Sequence, residues 1–216
     1  MHLGSLITEF RILAQDTARP YLWSDDELTT WFNEAEREAA IRAKLIHASA
    51  DLSIALGDTD CDVSDGIFDI RYAELRATDG RAYEIAAIDR DLLNATRPGW
   101  RTKSDRPREF IHNEDDTLTL GFVSDADYTL YIEGYRTPSN AMDGDDSKPE
   151  IGDIHHIHLL DWVFFRAYSR PDADTMNAGK SADGEGRFTS YFGKRANADL
   201  RRRQNASRPH RNRTHL

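Results

Sequence analysis

The stretch I-H-H-I-H-L-L-D-W-V-F-F-R-A-Y, residues Ile154–Tyr168, is the most apolar run in an otherwise polar chain. At helical spacing Ile157, Leu160, Val163, Phe164, Ala167 and Tyr168 share one face. Leu159, Trp162 and Phe165 cover much of the opposite one. A helix that is apolar nearly all round is buried on more than one side. Asp161 and Arg166 interrupt this one, and it is shorter than the ~20 apolar residues a membrane span needs. The stretch therefore reads as a core helix on which the rest of the chain packs. Asp153 is its predicted N-cap, and Pro171 stops it after Arg170.

Such a helix needs apolar partners, and the N-terminus supplies two. Leu3, Leu6, Ile7, Phe10, Leu13 and Ala14 mark one amphipathic helix, ending near Asp16-Thr17 ahead of Pro20. Ser24 followed by Glu27 is a capping box, with Trp23 and Leu28 as a hydrophobic staple around it. From there Leu28, Trp31, Phe32, Ala35, Ala39, Ala43 and Ile46 predict a second helix running to about Ala48. Two such helices on a short connection form an antiparallel hairpin, and the core helix is its third member.

Between hairpin and core helix the period changes to that of strands. Leu52–Leu56 is a short apolar run. Ile67–Leu75 alternates, with Phe68, Ile70 and Tyr72 on one face and Asp69 and Arg71 on the other. Ala82–Ile88 follows the turn Thr78-Asp79-Gly80. Phe110–His112, Thr117–Phe122 and Tyr128–Tyr135 read as a meander, and Trp100 pins the irregular R-P-G-W-R segment at 97–101. After the core helix, Asp172 or Asp174 is placed to start another helix, weakened by Gly179, Gly184 and Gly186. Phe188, Tyr191 and Phe192 dock it, and Gly193 closes it. The fold class is thus α+β: a helical bundle with an inserted antiparallel β region. The predicted divisions are an N-terminal helical hairpin at 1–50, the β insertion at 51–137, an acidic loop with core helices at 138–193, and a basic C-terminal tail at 194–216 that is disordered in isolation.

Charge is divided unevenly along the 216 residues, of which 31% are charged. The net charge is −10. Lys194, Arg195, Arg201, Arg202, Arg203, Arg208, Arg211 and Arg213, against Asp199 alone, give the tail +7 and leave −17 on the body. Two ends so different have different partners. The one cysteine, Cys61, excludes an internal disulfide framework. Residues 1–25 lack a signal-peptide pattern, so the three N-x-[ST] triplets at Asn94, Asn205 and Asn212 read as chance matches.

Nothing in the chain points to an enzyme or to a cofactor. His155 and His158, with Asp161, fall on one helical face near His156, but no further cluster completes a zinc site. Asp58, Asp60 and Asp62, with Asp69, match positions of a calcium loop, yet Val63 stands where that loop needs glycine. Cys61 lies among aspartates, which disfavour its thiolate. No glycine-rich phosphate cradle and no nucleophile elbow occurs. The basic tail is more informative, since its arginines suit phosphates or an acidic protein groove.

Several stretches together resemble the head-to-tail adaptor proteins of tailed bacteriophages, the tail-accessory or tail tubular protein A-like type. They are L-G-S-L-I-T-E-F-R at 3–11, W-S-D-D-E-L-T-T-W-F-N-E-A-E-R-E-A-A at 23–40, R-P-G-W-R at 97–101 with R-P-R-E-F-I at 106–111, and Y-R-T-P at 135–138. The core helix with R-A-Y at 166–168, P-D-A-D at 171–174 and F-x-x-x-F-G at 188–193 completes the set. The resemblance covers residues 1–193, and order and spacing carry it. The glycine-rich 179–186 stretch departs from the alanine-rich helix expected there. The resemblance implies a structural virion protein made in the bacterial host cytoplasm. It implies a dodecameric ring at the head–tail junction that contacts the portal protein, tail or nozzle proteins and its own copies, but no membrane. DNA would pass through the ring without specific binding, and the tail residues from Lys194 to Arg213 would dock on the portal. The alternative from a different class is a nucleic-acid-binding protein that uses the same arginines.

Overall fold

The computed structural model describes residues 1–63, 66–113, 115–171 and 176–196. The chain divides into two compact units. One comprises Met1–His47 with Tyr135–Arg195, and the other is built on Ala48–Gly134. The mixed α+β composition is as expected, with five α-helices and two sheets among the described residues.

In the first unit, α1 spans Leu3–Ala14 and α2 spans Asp25–Ala43. The capping box forms as the local sequence dictates. Ser24 Oγ accepts from the Glu27 N–H at 3.2 Å, and Glu27 Oε2 accepts from the Ser24 N–H at 3.0 Å. Trp23 and Leu28 are both fully buried beside it. The connection between the helices closes on a buried cation. Arg11 donates to Asp16 and Asp25 at 2.6 Å each and to the Trp23 carbonyl at 2.9 Å. α2 ends at Ala43, short of the predicted Ala48, because Lys44 adopts a left-handed conformation and β1 (His47–Ile54) begins directly after. Ile46 is buried from the short connection ahead of β1, not from the helix.

The core helix α4 spans Leu159–Tyr168; five of its residues are buried and the other five half-buried. Phe10 meets the Phe164 ring at 5.0 Å, and Trp23 meets Tyr168 at 5.4 Å. Two expectations fail at its start. A 3-10 helix at Asp153–His158 replaces the predicted first turn and is capped by Gly152, so Asp153 is its first residue rather than an N-cap. The tighter period takes Ile157 off the predicted buried face, and it is 42% exposed. α5 spans Ala178–Phe192. Its N-cap is Asn177, whose side chain accepts from the Lys180 N–H at 3.0 Å. Asp172 and Asp174, the predicted caps, lie outside the described residues. The helix is regular through its glycines, and one of them is required. A Cβ on Gly184 would lie 2.7 Å from the Asp161 carbonyl oxygen and 2.8 Å from the Phe165 nitrogen, so α5 crosses α4 there in backbone contact. The acidic loop 137–153 is held on α2. Asn33 pairs with both backbone groups of Met142, at 2.9 and 2.7 Å, and Glu36 Oε1 accepts from the Glu150 and Ile151 N–H groups.

The second unit contains two four-stranded sheets. With β2 (Asp60–Asp62), β3 (Ile67–Ala77), β4 (Ala82–Glu84), β5 (Ala86–Ala87), β6 (Glu109–His112), β7 (Thr117–Leu120) and β8 (Tyr128–Arg136), their orders are β1-β8-β3-β4 and β2-β7-β6-β5. The predicted meander is therefore broken. β6 and β7 form the expected hairpin, with Ile111 opposite Thr119, but β8 leaves them to sit between β1 and β3. Pairing of β5 with β6 is parallel, against the antiparallel expectation. In β3 the buried side chains include Ile67, Asp69, Ala73 and Leu75; of the predicted apolar face only Ile70 is buried, and of the predicted polar face Asp69 is buried while Arg71 is exposed. Aromatic amphipathicity explains it: Tyr72 and Tyr131 pair across the open face, each hydroxyl donating to a carboxylate, of Glu74 and Glu133 respectively, at 2.7 Å. Aliphatic side chains of both sheets form one core. A second, smaller core lies under α3 (Arg90–Thr96), a helix the sequence reading did not predict, where Leu93, Trp100, Ile111 and Phe122 meet.

Candidate functional site

The histidines at the start of the core helix take three separate structural roles. His156 is fully buried. Its Nε2 lies 2.8 Å from the Ile151 carbonyl oxygen and its Nδ1 2.7 Å from the Met1 amine. His158 stacks on the Tyr191 ring at 3.5 Å, and His155 Nδ1 lies 3.2 Å from the Tyr191 hydroxyl. Burial, then the neighbouring His158 and His156, push the His155 pKa down. Asp161, the third member of the predicted face, instead accepts from Arg187 Nε at 2.6 Å. Among the described residues no group of three or more His, Cys, Asp or Glu side chains is placed to hold a metal ion.

The acidic run at 58–62 leads into β2 and forms it. Asp58 Oδ2 accepts from the Ala55 N–H at 2.7 Å, and Asp60 accepts from the Thr59 and Thr119 hydroxyls at 2.7 and 2.6 Å. Asp60 and Asp62 lie on β2, and Asp69 is buried on β3, so no loop wraps a cation there. Cys61 has its thiol pushed up to about 12, first by burial and then by Asp60, Asp62 and Asp58.

Of the basic tail, Lys194 and Arg195 are described and both are exposed. Arg195 Nη1 donates to Glu38 Oε1 at 2.7 Å, while Glu38 Oε2 accepts from Arg42 Nε at 3.0 Å. One carboxylate on α2 thus fixes the point where the tail departs. Arg201, Arg202, Arg203, Arg208, Arg211 and Arg213 lie outside the described residues.

A second basic segment, expected as an irregular stretch pinned by Trp100 and as part of the family resemblance, lies in the second unit at Arg97–Arg108. Trp100 is 3% exposed, and its indole N–H donates to Asn94 Oδ1 at 3.0 Å. Arg101 donates to the same oxygen at 2.9 Å, with its guanidinium 4.3 Å over the Trp100 ring. A window count of charge would have found this segment, but the stronger tail overshadows it.

Compared with known families, the chain matches the family model described as SU10 adaptor protein over residues 1–213. No curated protein matches it.

Proposed function

This chain belongs to the SU10 adaptor protein family, a phage head-to-tail adaptor family, and on that footing we propose that it is the ring subunit that joins the portal to the tail. Membership makes it a structural phage protein, a virion component that works against other head and tail proteins. The observation that carries the proposal is the extent of the match, which reaches from the N-terminal helices past the core helix into the basic tail. In the proposed assembly twelve copies form a closed ring through a heterologous contact, in which two different faces of each copy meet. DNA crosses the centre of the ring during ejection. The acidic body suits that conduit, because negative walls do not retain a polyanion. The tail from Lys194 to Arg213 docks on the portal, with its departure point set by the Arg195–Glu38–Arg42 contact. None of the described helices is long and apolar enough to cross a membrane.

The test uses purified portal rings. Removal of residues 194–216 is expected to abolish retention of the protein on them. Full retention would overturn the tail's role, while mass measurement of the loaded portal reads the ring order independently.

A further inference from the structure

We infer that the segment Arg97–Arg108, R-P-G-W-R-T-K-S-D-R-P-R, is a contact surface for the phosphodiester backbone of double-stranded DNA. The inference goes beyond the adaptor reading and does not depend on it. Residues 48–134 carry nine lysines and arginines against nineteen carboxylates. Five of those nine cations fall within this one segment, where Asp105 is the sole carboxylate. Arg97 pairs with Glu109 at 3.3 Å, and the half-buried Arg106 guanidinium lies 3.9 Å over the Tyr83 ring. The other three, Arg101, Lys103 and Arg108, are exposed. Among the described residues no carboxylate lies within 4.0 Å of any of them.

The surface is built on a scaffold. Arg101 is oriented by the Trp100 ring and by Asn94, which presents a planar donor fork already in place. Lys103 is set by its backbone, whose carbonyl accepts from the Val123 N–H at 3.1 Å, while the Asp105 N–H returns to the Val123 carbonyl at 3.1 Å. Exposed hydroxyls of Thr102 and Ser104 alternate with these cations.

The chemistry of the segment selects the partner. A protein interface centres on apolar and aromatic anchors. From Arg97 to Arg108 no large apolar side chain is exposed, and Trp100 is turned inward. Cations interleaved with hydroxyls, without an apolar centre, are what a phosphate backbone requires. Contacts to phosphate oxygens carry no sequence information, so duplexes of different sequence should bind alike. Three exposed cations without a carboxylate partner make a weak, salt-sensitive contact.

The experiment measures fluorescence anisotropy of two labelled duplexes of unrelated sequence, titrated with the full-length chain from about 50 to 200 mM salt. Arg101→Gln/Lys103→Gln/Arg108→Gln is compared with wild type and with Arg201→Gln/Arg202→Gln/Arg203→Gln in the tail. Loss of three phosphate contacts should flatten the slope of log K against log salt by about 2.7, equally for both duplexes and additively with the tail variant. Lys103→Gln/Arg108→Gln leaves the Arg101–Asn94–Trp100 contact intact and should flatten it by about 1.8, so a folding defect cannot imitate the result. An unchanged slope in both loop variants overturns the proposal, as does an absence of DNA binding by wild type at low salt. A loop variant that keeps DNA affinity but loses affinity for polyglutamate also overturns it and makes the surface one for an acidic protein.

Discussion

Two glycines two residues apart on α5 should respond to the same substitution with opposite signs. At Gly184 an added Cβ would stand 2.7 Å from the Asp161 carbonyl oxygen and 2.8 Å from the Phe165 nitrogen, where ordinary contact begins at 3.4 Å. Both obstacles are backbone of α4, so no side chain can swing away and the helices must part locally. Overpacking of this kind costs about 1–3 kcal/mol, and parting also stretches the Ser181 Oγ bond to the Phe165 carbonyl, now 3.1 Å. Alanine returns about 1 kcal/mol of helix propensity, so Gly184→Ala should be destabilising by up to about 2 kcal/mol net. At Gly186 a Cβ would meet nothing within 4 Å, and the propensity gain of about 1 kcal/mol stands alone. Urea titration followed by far-ultraviolet circular dichroism is suitable, because α1, α2, α4 and α5 all belong to the first unit and dominate the helical signal. If Gly184→Ala matches or exceeds wild type, or if both variants shift in one direction, the close-crossing argument is refuted.

Arg11→Ala should lower stability by about 3–5 kcal/mol in the same assay, because Asp16 is left buried without its cation; a loss below about 1 kcal/mol would mean that the pair is not carrying the α1–α2 connection. Burial raises the Glu36 pKa against its backbone hydrogen bonds from Glu150 and Ile151. With a folded value above the unfolded one, its contribution is complete below the unfolded value and is lost as pH rises through the folded value. Glu36→Gln should therefore gain stability over wild type at neutral pH, with the gain shrinking as pH falls toward the carboxylate range; a gap in urea midpoint that does not change with pH contradicts this. Cys61, with its thiol at about 12, should resist iodoacetamide at mildly alkaline pH in the native protein and react readily in urea. Equal rates in the two states would show that its surroundings do not suppress the thiolate.

What was legible in the chain was local. Ser24 and Glu27 make their cap from three residues' separation, and the β6–β7 hairpin needs only a short turn. The destination of β8 depends on β1 and β3, far away in sequence, and alternation alone gives no partner. The face of β3 was misjudged because Phe68 and Tyr72 count as apolar, although tyrosine hydroxyls suit an open face. α3 buries only Leu93, too little for a periodic signal. The start of α5 was expected at Asp172 or Asp174, which lie outside the described residues, and the observed cap is Asn177, whose short polar side chain suits that role as well as an aspartate does. At the candidate sites, residue types marked where charge collects, but not that the histidines would be consumed by Tyr191 and the Ile151 carbonyl.

The chain leaves the first unit at His47 and returns at Tyr135, and the strands that make those crossings, β1 and β8, are hydrogen-bonded neighbours. On the ribosome the N-terminal helices must therefore wait, since α4 and α5 emerge only after the whole insertion. Closing so long a loop costs conformational entropy, about 0.6 kcal/mol for each doubling of its length. An insertion that folds first brings its own ends together and turns that long closure into a short one. Mutations in the core of the β unit, such as at Leu130 or Ile132, should therefore slow the meeting of α4 and α5 with α1 and α2.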